Sequence, residues 1–187
     1  MPPVAHLVGT LSSVMCNVVY QKDLAILSIS HFIKKCKYDI MFSMIKIIAG
    51  GKKHAAWCLE AISEYEKRMR KPFEVRWEFL EEEKLARRLS EWPFSRGREL
   101  VICCDERGEN ISSVEFSRKL EGAFINGREV VILIGGAYGF SPEVREKADF
   151  CWSFSKLVFP HMIARLIVAE QIYRAQEICH GGKYHHE

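Results

Sequence analysis

Apolar and polar residues along the chain form two kinds of segment that alternate. Some segments are short and apolar or alternating, which is typical of β-strands, whereas others repeat apolar residues every three or four positions, which is typical of amphipathic helices. The predicted strands are 44–50, 72–80, 99–105, 128–136 and 150–159, and the predicted helices are 54–71, 81–92, 112–127, 141–149 and 160–182. Strands that alternate with helices indicate a mostly parallel sheet covered on both faces, which is an α/β fold.

Local signals mark several of the predicted helices. The helix at 112–127 begins at a serine and stops at a glycine, and Ser141 followed by proline is a usual beginning of a helix. In the first helix, Trp57, Ala61 and Tyr65 are four positions apart and therefore share one face. We expect this stripe to be the apolar face of the helix.

The composition is that of a folded domain. Of the 187 residues, 48% are hydrophobic and 27% are charged, which excludes a disordered chain. The formal net charge of +3 permits nucleic-acid binding without indicating it. No apolar run approaches the roughly 20 residues needed to cross a bilayer. The seven cysteines contain no CxxC pair, which favours reduced thiols in a cytoplasmic protein and gives no sign of a metal site.

Residues 1–43 differ from the rest of the chain because they show no sustained helical or strand period. They contain no arginine and carry Asp23 and Asp39, which is unlike a transit peptide, and they lack the basic start of a secretory signal. An upstream-start artefact, a targeting segment and a species-specific extension all stay open for them. We expect the functional domain to span 44–187, from the first convincing strand onward.

The run VVILIGGAYGFSP, at 130–142, places Gly135, Gly136 and Gly139 where a predicted strand leaves the sheet. Residues 135–139 form what we call the glycine elbow. Ligands of open α/β sheets bind at the carboxyl ends of strands, where this elbow lies. Its GGxxG spacing differs from the GxGxxG of dinucleotide sites, and the chain has no GxxxxGK[ST] phosphate loop. A sharp turn and the close approach of another group to the backbone are the explanations that remain.

Four stretches of the chain occur in one order: LVICCDERGE at 100–109, VVILIGGAYGFSP at 130–142, WSFSKLVFPHMIARLIVAEQIYRA at 152–175 and KYHHE at 183–187. In this order they resemble the ribosomal RNA large subunit methyltransferase H family. The departures are modest, since Phe154 and Val158 replace residues of similar apolar character. Cys104 stands where that family usually has leucine, and His186 stands where arginine is common.

The resemblance implies a parallel-sheet α/β fold of the SPOUT methyltransferase class with a C-terminal trefoil knot. It further implies that S-adenosyl-L-methionine is the methyl donor, that no metal is used, and that the protein is a homodimer. The family's substrate is N3 of a pseudouridine in large-subunit ribosomal RNA on the assembled ribosome, which implies the ribosome as a partner and no membrane. A non-catalytic ribosome- or RNA-binding module that keeps the fold is the alternative.

The resemblance also assigns site residues. By carry-over from the family motifs, the cofactor-binding residues are Cys104, Gly135, Gly136, Lys156, Leu157, Val158, Phe159, Pro160 and His161. For Leu157 and Phe159, ordinary core packing is the alternative. The candidate catalytic residues are His161, Arg165, Tyr184 and His185. Because N3 of the substrate carries a proton that must leave, a general base or an electrostatic aid to ionisation is expected, and the sequence does not assign it.

His161 and Arg165 lie one helical turn apart and therefore on one face of the last predicted helix. We expect Arg165 to hold a phosphate or a carbonyl oxygen of the base, and His161 to act mostly as a wall of the cofactor site. Tyr184 and His185 belong to the terminal tail, 183–187, and are expected to reach the active site of the partner subunit. A frayed terminus and a purification remnant are the alternatives for this tail.

The exit of the first helix is basic. Its four cations are Lys67, Arg68, Arg70 and Lys71. A solvated helix end is the simpler explanation for such a cluster. Contact with RNA phosphates is the functional one, and it would make binding weaken steeply with salt.

Overall fold

The computed structural model describes residues 44–51, 55–92, 97–136 and 139–185, so the predicted extension at 1–43 lies outside the described residues. The strands are β1 Ile45–Gly50, β2 Val75–Leu80, β3 Glu99–Asn110, β4 Glu129–Ile134 and β5 Phe150–Ser153. The helices are α1 Ala56–Glu66, α2 Glu82–Ser90, α3 Ser113–Ile125, α4 Pro142–Lys147 and α5 His161–His180. Strands and helices alternate along the chain, as predicted.

The five strands form one sheet in the order β2-β1-β4-β3-β5, and every neighbouring pair is parallel. The predicted parallel α/β sheet is therefore confirmed. Near the carboxyl ends, Ile134 of β4 pairs with Cys104 of β3, and Cys104 pairs with Trp152 of β5. Three segments that are distant in sequence thus end side by side at one edge of the sheet.

Both faces of the sheet are covered. One face packs Val101, Cys103, Val131 and Leu133 against α2 and α4, in a buried cluster that includes Leu85. Because side chains alternate along a strand, the intervening residues point to the opposite face. That face lies under α3 and α5, which both contact β4, while α1 packs on α5. None of the described helices is both long and apolar enough to cross a bilayer.

The predicted start and stop of α3 are confirmed. The Ser112 hydroxyl accepts a hydrogen bond from the Glu115 backbone N–H, and the Glu115 carboxylate accepts one from the Ser112 backbone N–H. This reciprocal capping box satisfies two backbone donors and contributes about 1 kcal/mol to the helix. Gly127, just past the end of α3, has a φ of 72°, the left-handed conformation that glycine adopts without strain.

The apolar face predicted for the first helix is only partly correct. Cys58 and Ile62 are buried and pack against Ala169 of α5, whereas Trp57 is 50% exposed. The predicted stripe therefore fails at Trp57, while Tyr65 at its other end contacts Tyr173 of α5 with ring centroids 5.8 Å apart. Spacing alone could not choose between the two faces, because both carry apolar residues at helical intervals.

The third and fifth strands also differ from their predicted lengths. β5 ends at Ser153, so the expected extended segment 154–159 is irregular. β3 is longer than predicted, and Trp152 pairs with both Cys104 and Glu109, with a register shift between them. The intervening residues 105–108 make an excursion in which a Cβ on Gly108 would lie 2.5 Å from the Cys151 carbonyl oxygen. The backbones of β3 and β5 therefore touch at this excursion.

Candidate active site

A cleft opens at the carboxyl ends of β3, β4 and β5. Its lining comes from three segments: β3 at 104–106, where the excursion begins, the elbow region at 134–136 and 139, and side chains between 152 and 164. Of the predicted cofactor residues, Cys104, Gly135, Gly136, Leu157, Val158, Phe159 and His161 line it. Lys156 and Pro160 are exposed and are not among its lining residues. The predicted loops therefore converge on one hollow.

The glycine elbow is held by close backbone packing. A Cβ on Gly135 would lie 3.0 Å from Gly139 Cα, so the two ends of the elbow touch. Gly139 itself has a φ of 68°, which favours glycine. Behind the elbow, a Cβ on Gly136 would lie 2.6 Å from the carboxylate of Glu82. Both explanations proposed for the glycines therefore apply, because the chain turns sharply and other groups approach it.

Gly50, which the sequence did not single out, belongs to the same packing. It ends β1, and a Cβ there would lie 2.7 Å from the backbone nitrogen of Gly136. The end of β1 therefore presses directly on the elbow that lines the cleft. Glu82, at the start of α2, was missed as well. The sequence did offer one signal for Gly50, because a glycine that ends a predicted strand indicates a close approach of another backbone there.

Arg165 lies behind the cleft and is not among its lining residues. It is 1% exposed, and its Nη2 donates hydrogen bonds to the carbonyl oxygens of Gly50, at 2.5 Å, and Gly51, at 2.7 Å. Burial lowers the pKa of the guanidinium. Arg165 thus holds the end of β1, which in turn packs on the glycine elbow.

His161 is the predicted catalytic residue that the cleft contains. It begins α5, and its Nε2 would lie 3.6 Å from a Cβ placed on Gly51. The imidazole therefore lies between the cleft and the end of β1. This places a group able to accept or donate a proton in the wall of the cleft.

The carboxylate of Asp105 is buried at the floor of the cleft, with its side chain 1% exposed. It accepts hydrogen bonds from the Arg107 backbone N–H at 3.0 Å and from Arg107 Nε at 2.8 Å, and Arg145 of α4 lies 3.8 Å away. Burial by itself would raise the pKa of Asp105, but the hydrogen bonds and charge of Arg107 and Arg145 hold it below its ordinary value. Asp105 therefore ties the β3 excursion to α4.

The Cys104 thiol lines the cleft as a neutral group. Burial raises its pKa, and the neighbouring Cys151 and Asp105 raise it further. Because the thiolate is the reactive form of cysteine, Cys104 serves as an apolar wall and not as a nucleophile. The cysteines among the described residues are free thiols, and the same residues contain no cluster of three His, Cys, Asp or Glu side chains that could hold a metal ion.

The rim of the cleft is apolar and exposed. Leu157 is 68% exposed and Val158 is 79% exposed. The Leu157 backbone N–H donates to the Ser155 hydroxyl, which keeps this segment turned beside the cleft. Adjacent exposed apolar side chains on a soluble domain mark a contact surface. The core-packing alternative therefore fails for Leu157.

The predicted tail residues, Tyr184 and His185, follow α5 and pack back against it, and neither is among the residues that line the cleft. The Tyr184 hydroxyl donates to Glu170 Oε1 at 3.2 Å, and its ring packs edge-on against Tyr173 with centroids 4.9 Å apart. His185 Nδ1 lies 3.4 Å from Arg174 Nη1. The four predicted catalytic residues therefore occupy three places: His161 in the cleft, Arg165 behind it, and the tail pair further along α5.

Known proteins are similar in sequence to this chain over most of its length. The family model described as "Predicted SPOUT methyltransferase" matches residues 43–185. A relative named ribosomal RNA large subunit methyltransferase H, from Methylobacillus flagellatus, is 33% identical over 158 residues, covering 76% of this chain and 99% of the relative. Proteins with the same name from Thioalkalivibrio sulfidiphilus and Acetivibrio thermocellus are 36% and 39% identical over 156 residues, covering 76% and 75% of this chain and 99% and 98% of the relatives.

These matches extend over both the glycine elbow and the segment that begins α5, which together line the cleft. The family suggested by the four ordered sequence motifs is thereby confirmed. This chain belongs to the ribosomal RNA large subunit methyltransferase H family of SPOUT methyltransferases.

Proposed function

We propose that this protein transfers a methyl group from S-adenosyl-L-methionine to N3 of a pseudouridine in large-subunit ribosomal RNA on the assembled ribosome. The observation that carries the proposal is the convergence of three distant segments on one cleft beside the carboxyl ends of the strands: 104–106, 134–136 with Gly139, and side chains between 152 and 164. The names of the relatives support the class of substrate. A non-catalytic RNA-binding module would not need such a hollow.

The residues of the cleft suit a bent, cationic nucleoside. Its walls offer apolar contacts for a base from Ile134, Trp152 and Leu157, and a neutral thiol from Cys104. Asp105 and Glu106 contribute acidic side chains, which complement a positively charged ligand. Bound S-adenosyl-L-methionine supplies a methyl carbon that its sulfonium has already activated. The chain therefore has chiefly to align the reacting groups and to exclude water.

Different residues around the cleft have different roles in the proposed reaction. N3 of the pyrimidine must lose its proton before its lone pair can form a bond to carbon, and His161 is the imidazole in the cleft wall that can take it. Arg165 holds Gly50 and Gly51, and through them the elbow, in place. Leu157 and Val158 leave apolar side chains exposed at the rim, where a bound partner that covers them would exclude water from the cleft.

The proposed assembly is a homodimer, in which the terminal tail of one subunit completes the cleft of the other. Two observations support it. The exposed apolar side chains of Leu157 and Val158 flank the cleft, and Trp57 and Leu59 are exposed on α1. Tyr184 and His185 contact Glu170 and Arg174 of α5 and are not among the residues that line the cleft of their own chain. A tail held in this way can serve a neighbouring subunit.

The basic exit of α1 is proposed as the phosphate contact. Lys67 and Arg68 are exposed, and Arg68 lies over the rings of Tyr65 and Tyr173 at 5.4 and 4.9 Å. Lys67 also forms an exposed ion pair with Glu64, a kind of contact that contributes little to stability. The modest net charge fits a protein that relies on the shape of the ribosome more than on charge.

The C-terminal trefoil knot is proposed as the topology of the cleft. Support comes from the family, because the model described as "Predicted SPOUT methyltransferase" matches residues 43–185.

The experiment is methyl incorporation from radiolabelled S-adenosyl-L-methionine into ribosomes that lack the modification, followed by nucleoside analysis, with calorimetry of cofactor binding in parallel. We expect cofactor binding and N3-methylpseudouridine. Cofactor binding without product would favour another substrate. Ribosome binding without cofactor binding would favour the non-catalytic module.

A further inference from the structure

The terminal tail is held by a cluster of charged and aromatic side chains on the middle of α5. We call Glu170, Tyr173, Arg174, Tyr184 and His185 the tail cluster. It lies apart from the residues that line the cleft. The hydrogen-bond partners within this cluster determine which atoms of Tyr184 and His185 carry a proton, because an ionised carboxylate can only accept and a guanidinium can only donate.

Glu170 is the anchor of the tail cluster. Its Oε1 accepts hydrogen bonds from Arg174 Nε at 2.9 Å, from Arg174 Nη2 at 2.5 Å and from the Tyr184 hydroxyl at 3.2 Å. Its Oε2 accepts from the Gln171 amide at 2.6 Å, and Gln171 in turn accepts from the Ser113 hydroxyl of α3. The carboxylate is therefore fixed to the helical scaffold and holds both Arg174 and the tail.

Tyr184 is held as a neutral phenol. An ionised carboxylate only accepts hydrogen bonds, so the phenol must supply the proton in its contact with Glu170. Burial raises the pKa of Tyr184, and the contacts with Tyr65 and Glu170 raise it further. The Arg174 guanidinium also lies 4.8 Å from the centre of the Tyr184 ring. Tyr184 is thus unsuited to remove a proton from the substrate.

His185 meets Arg174 through Nδ1, at 3.4 Å from Nη1. A guanidinium has donors and no acceptor, so Nδ1 must offer its lone pair in this contact. A neutral imidazole whose Nδ1 accepts carries its proton on Nε2. The ring can then offer the substrate a donor at Nε2 and no free lone pair.

We propose that Glu170 and Arg174 are positioning residues that fix His185 in the Nε2–H tautomer, so that the tail donates a hydrogen bond to a pyrimidine carbonyl oxygen and does not act as the base. This rests on the proposed function. When N3 of a pseudouridine loses its proton, negative charge spreads to the flanking carbonyl oxygens, and a donor placed there stabilises it. The proton itself goes to another group, for which His161 in the cleft is placed.

The first test measures the tautomer directly in the full-length protein. Nitrogen-15 NMR of histidine-labelled protein distinguishes Nδ1–H from Nε2–H, and the signal of His185 is assigned by its loss in His185→Gln. At a pH where free histidine is neutral, we expect Nε2–H in the unaltered protein and a mixture of tautomers in Arg174→Met. An Nδ1–H tautomer in the unaltered protein would overturn the proposal. This readout needs no activity, so it stands apart from the proposed function.

The second test compares three replacements of His185 in ribosome methylation. Glutamine places an amide donor near the position of Nε2, whereas asparagine places it nearer Nδ1 and alanine has none. Because removing one such donor costs about 100- to 1000-fold in turnover, His185→Ala and His185→Asn should fall by about 100-fold or more, with cofactor affinity unchanged. His185→Gln should stay within about tenfold of the unaltered protein. If all three are equally inactive, His185 is the base and the proposal is wrong.

A double-mutant cycle tests whether Glu170 acts through the tail. Glu170→Leu and removal of residues 184–187 should each lower turnover, and the double variant should lose little more than the deletion alone, since Glu170 is proposed to act through the tail and Arg174. Additive losses would show that Glu170 acts elsewhere and would overturn its role as the anchor. An unaltered protein that does not methylate ribosomes would refute the proposed function and leave the tautomer to the first test.

Discussion

The glycine elbow and the tail cluster are built in two different ways, and an arginine of α5 supports each of them. Arg165 and Arg174 are nine positions apart on α5, yet one is buried against backbone carbonyls and the other pairs with a carboxylate near the surface. The elbow depends on the absence of side chains, so backbones can touch. The tail cluster depends on several side chains with matched donors and acceptors. The first is therefore sensitive to volume and the second to hydrogen-bonding capacity.

The sharpest way to test this comparison is to make the same change in both arginines. Arg165→Met should lower the free energy of unfolding by about 3 kcal/mol, because the buried carbonyl oxygens of Gly50 and Gly51 lose a charged donor. Arg174→Met should lower it by less than about 1 kcal/mol, because its ion pair is partly exposed. Urea unfolding of both variants measures the difference. Equal losses would mean that Arg165 does not brace the elbow.

Filling the elbow should remove cofactor binding. Gly136→Val should weaken S-adenosyl-L-methionine binding by at least about 100-fold, or about 2.7 kcal/mol, because the added carbons collide with Glu82 and displace the elbow that lines the cleft. Calorimetry measures the affinity, and circular dichroism should show a folded protein. Gly122→Val is the matched control, since a Cβ at Gly122 meets nothing within 4 Å. Normal binding by Gly136→Val would refute the role of the elbow.

Changes that remove or release the tail should instead lower turnover without changing the affinity for the cofactor. Removal of residues 184–187 should lower turnover on ribosomes by about 100-fold or more, or about 2.7 kcal/mol, since the donor of His185 is lost, and Arg174→Met should lower it by about tenfold or more, since the tail is no longer held. Cofactor affinity should stay unchanged, because neither Tyr184 nor His185 is among the residues that line the cleft of its own chain. Equal losses of turnover and affinity would argue against a role confined to the reaction.

The smallest expected effect is on how the free energy of unfolding depends on pH under acidic conditions. The pKa of Asp105 is lower in the folded protein than in the unfolded chain, so its contribution to stability is present above the unfolded value, about 3.9, and is lost as the pH falls through the folded value. Asp105→Asn should therefore unfold with a weaker dependence on pH below about pH 4 than the unaltered protein. Denaturant titrations across this range measure the slope. An unchanged slope would mean that Arg107 does not hold the carboxylate.

Much of the elbow could be predicted from the sequence, because glycine is informative where a strand ends. Gly135, Gly136 and Gly139 stand directly after an apolar strand, and the order of the motifs identified the family. The parallel sheet followed from the alternation of periods. Gly50 and Glu82 could not be placed beside the elbow, since only the strand order brings the ends of β1 and β4 together.

The roles of individual polar residues were harder to predict. Arg165 was expected to meet the substrate because it shares a helix face with His161, but its guanidinium reaches the carbonyls that end β1. The polar run that begins at Asp105 predicted the end of the strand, but it did not predict that β3 pairs with β5 again at Glu109, since this return is set by contact with β5. Glu170 and Arg174 are one helical turn apart, an arrangement common on exposed helices, so nothing local showed that they hold the tail.

The contact between Gly108 and Cys151 limits where this chain can change in length. Because Trp152 is in register with β3 both before and after the excursion, residues 105–108 have a fixed distance to span. An inserted residue would either break the second pairing or push the turn into the Cys151 carbonyl oxygen. Tags, loops or recognition elements grafted onto this enzyme belong at other connections, such as Asn126 and Gly127 between α3 and β4, which are exposed and precede β4, at the opposite end of the strand from the cleft.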